Sequence, residues 1–173
     1  MRVFVVCFLF FLFLIQGSVL QWLLPQAWGT SFVVIPQLVL SGIVMLSLYG
    51  DEQMAVLFGF GFGLLHDIVY GPAWGISAFS TALTAYAAVL VSRHFPPYPW
   101  IAGLTNMVVQ WIHLFIIYGW FRLFDFTQMP FFPAISYHII PSVLFNVVCG
   151  FPIYFLISRI YRKNEQNTIQ LFG

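Results

Sequence analysis

The chain has 173 residues, of which 61% are hydrophobic, 20% aromatic and only 6% charged; an ordinary globular sequence is about a quarter charged, so a water-soluble domain is excluded. The formal net charge of +1, from 6 basic and 5 acidic residues, leaves no electrostatic footprint for a nucleic acid. At about 1.5 Å rise per residue and about 20 residues per crossing, the length suits one membrane domain of about five to six spans with their loops.

Arg2 opens an apolar run, Val3 to Leu24, that passes Gln16-Gly17-Ser18 without a small-x-small cleavage site, so it reads as a retained first span and not a signal peptide. Five more apolar segments follow: Phe32 to Tyr49, Met54 to Val69, Ile76 to Val91, Ile101 to Phe121 and Ile135 to Ile157. Each is near the length a hydrocarbon core demands. Apolar residues run all round each segment, which predicts helices and not the alternating strands of a barrel. Pro25, Asp51-Glu52, Gly71-Pro72, Pro96-Pro97-Tyr98-Pro99 and Pro130 to Pro133 separate the segments, all of them sequences that end helices. The short Gly71 to Gly75 junction makes the third and fourth spans a tight hairpin. The predicted fold is therefore an all-α integral membrane protein, six transmembrane helices in one compact bundle over residues 1–158, with a short cytoplasmic tail at 159–173.

With the N-terminus inside, six crossings put Arg2, Arg93, Arg159, Arg162 and Lys163 on the inner side and only Arg122 on the outer. The positive-inside rule then places both the N- and C-termini in the cytoplasm.

Asp67 is the one charged residue within a predicted span, and such a residue is by default a functional candidate. It lies near a helix C-terminus, where the macrodipole disfavours a carboxylate, so it is either protonated or has a donor or cation nearby. Arg122 is the cation on that side, giving a candidate Asp67–Arg122 ion pair; the alternative pairs Arg122 with Asp125 and leaves Asp67 in interfacial water. At about 100° per residue, Gly59, Gly63, His66, Asp67 and Tyr70 share one face of the third span, with Gly61 opposite. Glycines four apart let another backbone approach closely.

Polar stripes recur at helical spacing in the next spans. Ser77, Ser80, Thr81 and Thr84 line the fourth; Gly103, Asn106, Gln110 and His113 the fifth; Ser142, Asn146 and Cys149 the sixth. Amides and imidazoles in a bilayer need partners from neighbouring helices or a wet cavity, so these faces are expected to converge in a polar seam, with the Gly59-Gly63-Asp67 face meeting the stripe of the fifth span. The seam either encloses a ligand pocket or closes on interhelical hydrogen bonds.

Other chemistry is not indicated. Cys7 and Cys149 sit in apolar runs and define neither a disulfide framework nor a zinc site. His66, His94, His113 and His138 show no paired i, i+4 arrangement. Neither G-x-S-x-G nor HExxH occurs, so no catalytic residue, metal or cofactor is assigned. On the predicted inner side, Arg93, Pro96, Pro97 and Tyr98 form a proline-stiffened loop. It reads as a cytoplasmic contact with a partner, or as a spacer with Trp100 anchored at the headgroups.

The stretch Phe58 to Phe79 carries a glycine-rich helix ending in Gly63-Leu64-Leu65-His66-Asp67, a turn with two glycines, then Gly75-Ile76-Ser77-Ala78-Phe79 opening the next helix. This pattern, with the size and six-span hydropathy, resembles the rod shape-determining protein MreD family. The resemblance implies a non-enzymatic scaffold of the bacterial cell-elongation machinery in the cytoplasmic membrane. Its implied partners are an MreC-like single-span protein, an MreB-like filament and peptidoglycan synthases of the RodA and penicillin-binding type. The family's fold is similar to the substrate-binding S components of vitamin-uptake transporters, which implies an alternative, a small-molecule uptake subunit with its pocket in the outer half of the bundle.

Overall fold

The computed structural model describes the backbone of residues 2–49 and 52–172 and the side chains of residues 3–49 and 52–161. Asp51 and the side chains of Arg2, Arg162 and Lys163, on which part of the charge asymmetry rests, lie outside the described residues. All regular structure among the described residues is helical. Helix α1 (Arg2–Gly17) ends where the Ser18 hydroxyl bonds back to the Leu14 carbonyl; a short α2 (Val19–Leu23) follows. Pro25 then opens a 3-10 turn, Pro25–Trp28, closed by Gly29 at φ 74°. The remaining long elements are α3 (Leu38–Leu48), α4 (Glu52–Tyr70), α5 (Ile76–Ser92) and α6 (Pro99–Leu123). A single turn α7 (Phe131–Pro133) and a π-helical stretch, Ala134–Ile139, lead into α8 (Ile140–Phe172).

Four of these helical stretches are long and apolar enough to cross a membrane: Val3–Trp28, Glu52–Tyr70, Pro99–Leu123 and Phe131–Tyr161. Helix α5 is shorter, and α3 is shorter still. All eleven residues of α3 are buried, because α1, α4, α5, α6 and α8 all pack against it. Its side chains, among them Ile43, Val44 and Met45, sit with Leu9 of α1 at the centre of the core.

The second apolar segment departs from the helix expected over Phe32 to Tyr49. Residues 32–37 precede α3 without helical structure. Pro36 disfavours the α conformation at Ile35, and Val33, Val34 and Ile35 are β-branched residues that lose side-chain freedom in a helix. An extended chain also covers distance faster: six residues at about 3.3 Å add about 20 Å to the roughly 16 Å of α3, enough for a hydrocarbon core of about 30 Å. The π-helical stretch answers this opening. Pro141 has no N–H to return to the carbonyl four residues earlier, and that carbonyl, of Tyr137, accepts the Val33 N–H at 2.9 Å instead.

Candidate functional site

The α4–α5 hairpin is built around Asp67. Its Oδ2 accepts the N–H groups of Gly75 (2.8 Å) and Ala78 (3.1 Å), and its Oδ1 that of Ser77 (2.9 Å). These are donors that an α-helix leaves unsatisfied in its first turn. Gly75, the residue at the cap position, has no side chain to serve them, and its φ of +100° favours glycine. The carboxylate of the neighbouring helix therefore caps α5, where the macrodipole also favours negative charge. Trp74, at the tip of the turn, is 80% exposed.

The glycines of the same face are what bring the two helices together. A Cβ on Gly63 would stand 2.6 Å from the Ser77 carbonyl oxygen and 2.7 Å from the Ala78 Cα, and one on Gly59 would stand 3.1 Å from the Thr81 carbonyl oxygen; one on Gly61 would meet nothing within 4 Å. The Gly59-Gly63-Asp67 face thus meets α5 and not the polar stripe of α6, because only α5 supplies both a close backbone and free N–H groups. The expected Asp67–Arg122 pair does not form. Arg122 Nη1 donates to the Met129 carbonyl at 3.0 Å, as does the Tyr118 hydroxyl at 2.9 Å, and Asp67 is already satisfied. Among the described residues the ion pair is Arg93 with Glu52, at 2.6 Å. The hydrogen bond to Glu52 holds the Arg93 pKa above its ordinary value.

The remaining polar residues converge largely on this non-helical segment before α3. Asn146 accepts the Gln37 N–H at 2.7 Å and donates to the Ile35 carbonyl at 2.9 Å; the Ser142 hydroxyl accepts the Ile35 N–H at 2.9 Å. Gln26 accepts the Val34 N–H and donates to its carbonyl, and Gln16 accepts the Val39 N–H at 3.2 Å. Gln110 donates to Ser41 Oγ at 3.0 Å, and Asn106 reaches the Asn146 carbonyl at 3.3 Å. Non-helical backbone is tolerated at membrane depth only where protein or a water-lined cavity satisfies it, and here side chains do so. Gln16, Gln26, Gln37 and Ser41 were not singled out in the sequence. A glutamine interrupting an apolar run is the signal that could have found the first.

His66, Tyr70 and His113 join Gln16 and Gln37 of that network in lining a cavity of about 260 Å³ at the end of the bundle that carries the 71–75 turn. His66 and Tyr70 rings are 5.3 Å apart, His66 Nδ1 is 3.5 Å from Ser77 Oγ, and His113 Nδ1 is 3.5 Å from Thr84 Oγ1. At the opposite end, the 93–100 loop exposes Phe95, Tyr98 and Trp100 and is held to α8 by the Tyr154 hydroxyl, which donates to the Pro97 carbonyl at 2.7 Å.

A family model described as rod shape-determining protein MreD matches residues 1–164. The chain belongs to the MreD family. No curated protein and no solved structure matches it. The match runs through the Asp67 hairpin, the stitched segment, the cavity and the 93–100 loop. MreD family membership makes the chain a membrane protein of the rod-shape machinery, with a role in rod shape determination.

Proposed function

We propose that this chain is a non-enzymatic scaffold of the bacterial cell-elongation machinery in the cytoplasmic membrane. In this role it couples an MreC-like single-span protein, an MreB-like filament and peptidoglycan synthases of the RodA and penicillin-binding type. The family match over residues 1–164 carries this reading. Within it, the domain crosses six times over residues 1–158, α3 crossing with the help of its non-helical lead-in, and residues 159–173 form a short cytoplasmic tail. The cation distribution supports cytoplasmic termini. Exposed tryptophans at the two ends of the bundle, Trp22, Trp28 and Trp74 at one and Trp100 at the other, suit the two membrane interfaces. The 93–100 loop, with its backbone limited by three prolines and tied to α8, is our candidate for the cytoplasmic contact.

Affinity isolation of the tagged chain from bacterial membranes, read by mass spectrometry, tests the scaffold. Recovery of a single-span partner and synthases is expected, together with loss of rod shape on depletion. Recovery of an ATPase module in their place would support an uptake subunit and overturn the scaffold. Reporters fused after Pro72 and Phe126 should read outside, and those after Glu52, Tyr98 and Lys163 inside; an outside signal at Tyr98 would overturn the topology.

A further inference from the structure

The 260 Å³ cavity has properties that neither helix packing nor scaffolding uses. It lies between α1, α4, α5 and α6 and the start of α3, and two polar side chains on its wall are more than nine-tenths buried yet incompletely partnered. Gln16 of α1, 6% exposed, accepts the Val39 N–H on its amide oxygen, and its Nε2 has no partner among the described residues. Thr81 of α5, 7% exposed, has a side-chain hydroxyl with no partner among the described residues. Both atoms open onto the same cavity from different helices, so whatever occupies it completes their hydrogen bonding.

The rest of the wall decides what kind of molecule that is. Phe13, Leu40, Phe62, Leu114, Ile117 and Phe121 make most of it carbon. The volume would take about nine waters at roughly 30 Å³ each, but a buried water needs two to four polar partners, and so large a cluster would face mainly hydrocarbon. Among the described residues, no permanently charged side chain lines the cavity. Asp67, one residue from His66, is turned to the α5 amides, and Arg122 to Met129, so a charged solute would enter without a counter-charge, at a large desolvation cost. We propose that this cavity is a binding site for an uncharged organic solute of about one ring in size, its hydrogen-bonding head meeting Gln16 and Thr81 and its apolar body the phenylalanine and aliphatic wall.

The site is tested on the full chain in nanodiscs by fluorine NMR, with 4-fluorobenzamide and 4-fluorobenzyl alcohol as neutral probes and 4-fluorobenzoate and 4-fluorobenzylammonium as charged counterparts. At least one neutral probe should bind saturably, one molecule per chain, with both charged compounds about tenfold weaker or more. Thr81→Val and Gln16→Leu should each weaken that probe about tenfold, as expected for loss of one buried hydrogen bond. Ile117→Trp, which fills the cavity from the opposite wall, should abolish binding; melting curves of all three variants identify any that misfold, and binding is scored on those that melt normally. Only non-saturable partitioning of both neutral probes, equal binding of the charged ones, or saturable binding that the folded variants leave unchanged would each overturn the proposal. The scaffold reading stands apart from it, because partner recovery by Thr81→Val is expected to remain normal.

Discussion

A carboxylate 1% exposed in an apolar bundle needs donors wherever it cannot reach water, and Asp67 takes three from the start of α5. Asp67→Leu strands those donors and is expected to cost at least about 3 kcal/mol, whereas Asp67→Asn keeps one oxygen and should cost about 1–2 kcal/mol. Arg122→Gln should stay within about 0.5 kcal/mol, since Arg122 is exposed and pairs with a backbone carbonyl. Thermal melting in detergent checks all three, and an Arg122→Gln loss equal to that of Asp67→Leu would revive the ion pair. The glycines divide in the same way. Gly63→Ala places a methyl group 2.6 Å from a backbone oxygen and should lower membrane abundance sharply, while Gly61→Ala, open on its side, should be neutral or gain up to about 1 kcal/mol of helix propensity. Helical spacing made Asp67 and its glycine face legible in the sequence. The partner was not, because the receiving groups are main-chain N–H groups, and every residue but proline offers one.

Among the elements, the lead-in to α3 is where sequence and structure part most. The apolar length of Phe32 to Tyr49 suggested one helix, although Pro36 and the three β-branched residues before it are visible signals of an extended chain. What the length could not convey is that Ser142 and Asn146, read as part of a seam, hydrogen-bond the backbone of this lead-in. Asn146→Leu removes two bonds to backbone groups and is expected to cost about 2–4 kcal/mol, more than Asn106→Leu, which removes one long bond. Hydrogen exchange resolves the same effect locally, with the Gln37 amide exchanging faster in Asn146→Leu. Pro141→Ala is the complementary case. It restores an N–H that can claim the Tyr137 carbonyl, so the Val33 amide, which depends on that carbonyl, should lose protection.

At the scale of the whole molecule, the bundle has two unlike ends. One carries the Asp67 turn and the cavity; the other carries the Glu52–Arg93 pair and the proline loop. Replacing Pro97 with Gly and Tyr98 with Ser should weaken recovery of cytoplasmic partners without lowering membrane abundance, and unchanged recovery would leave the loop a spacer. Four of the apolar segments were legible as long helices, Val3–Trp28, Glu52–Tyr70, Pro99–Leu123 and Phe131–Tyr161, because hydrocarbon thickness sets their length. The asymmetry of the ends was only partly so: cations mark one end, but a cavity depends on how five elements meet.

The stitched segment also bears on how the chain is made. The groups that satisfy Ile35 and Gln37 lie 107 to 111 residues further along. At about 5–20 residues per second of synthesis, on the order of 5–20 s pass between emergence of the open backbone and arrival of Ser142 and Asn146. During that interval bare amides cannot face lipid tails. The second segment must therefore wait in a wet or proteinaceous shelter until the last helix is delivered, and truncations ending before Ser142 should be retained by the insertion apparatus or degraded, while those ending after Asn146 are released.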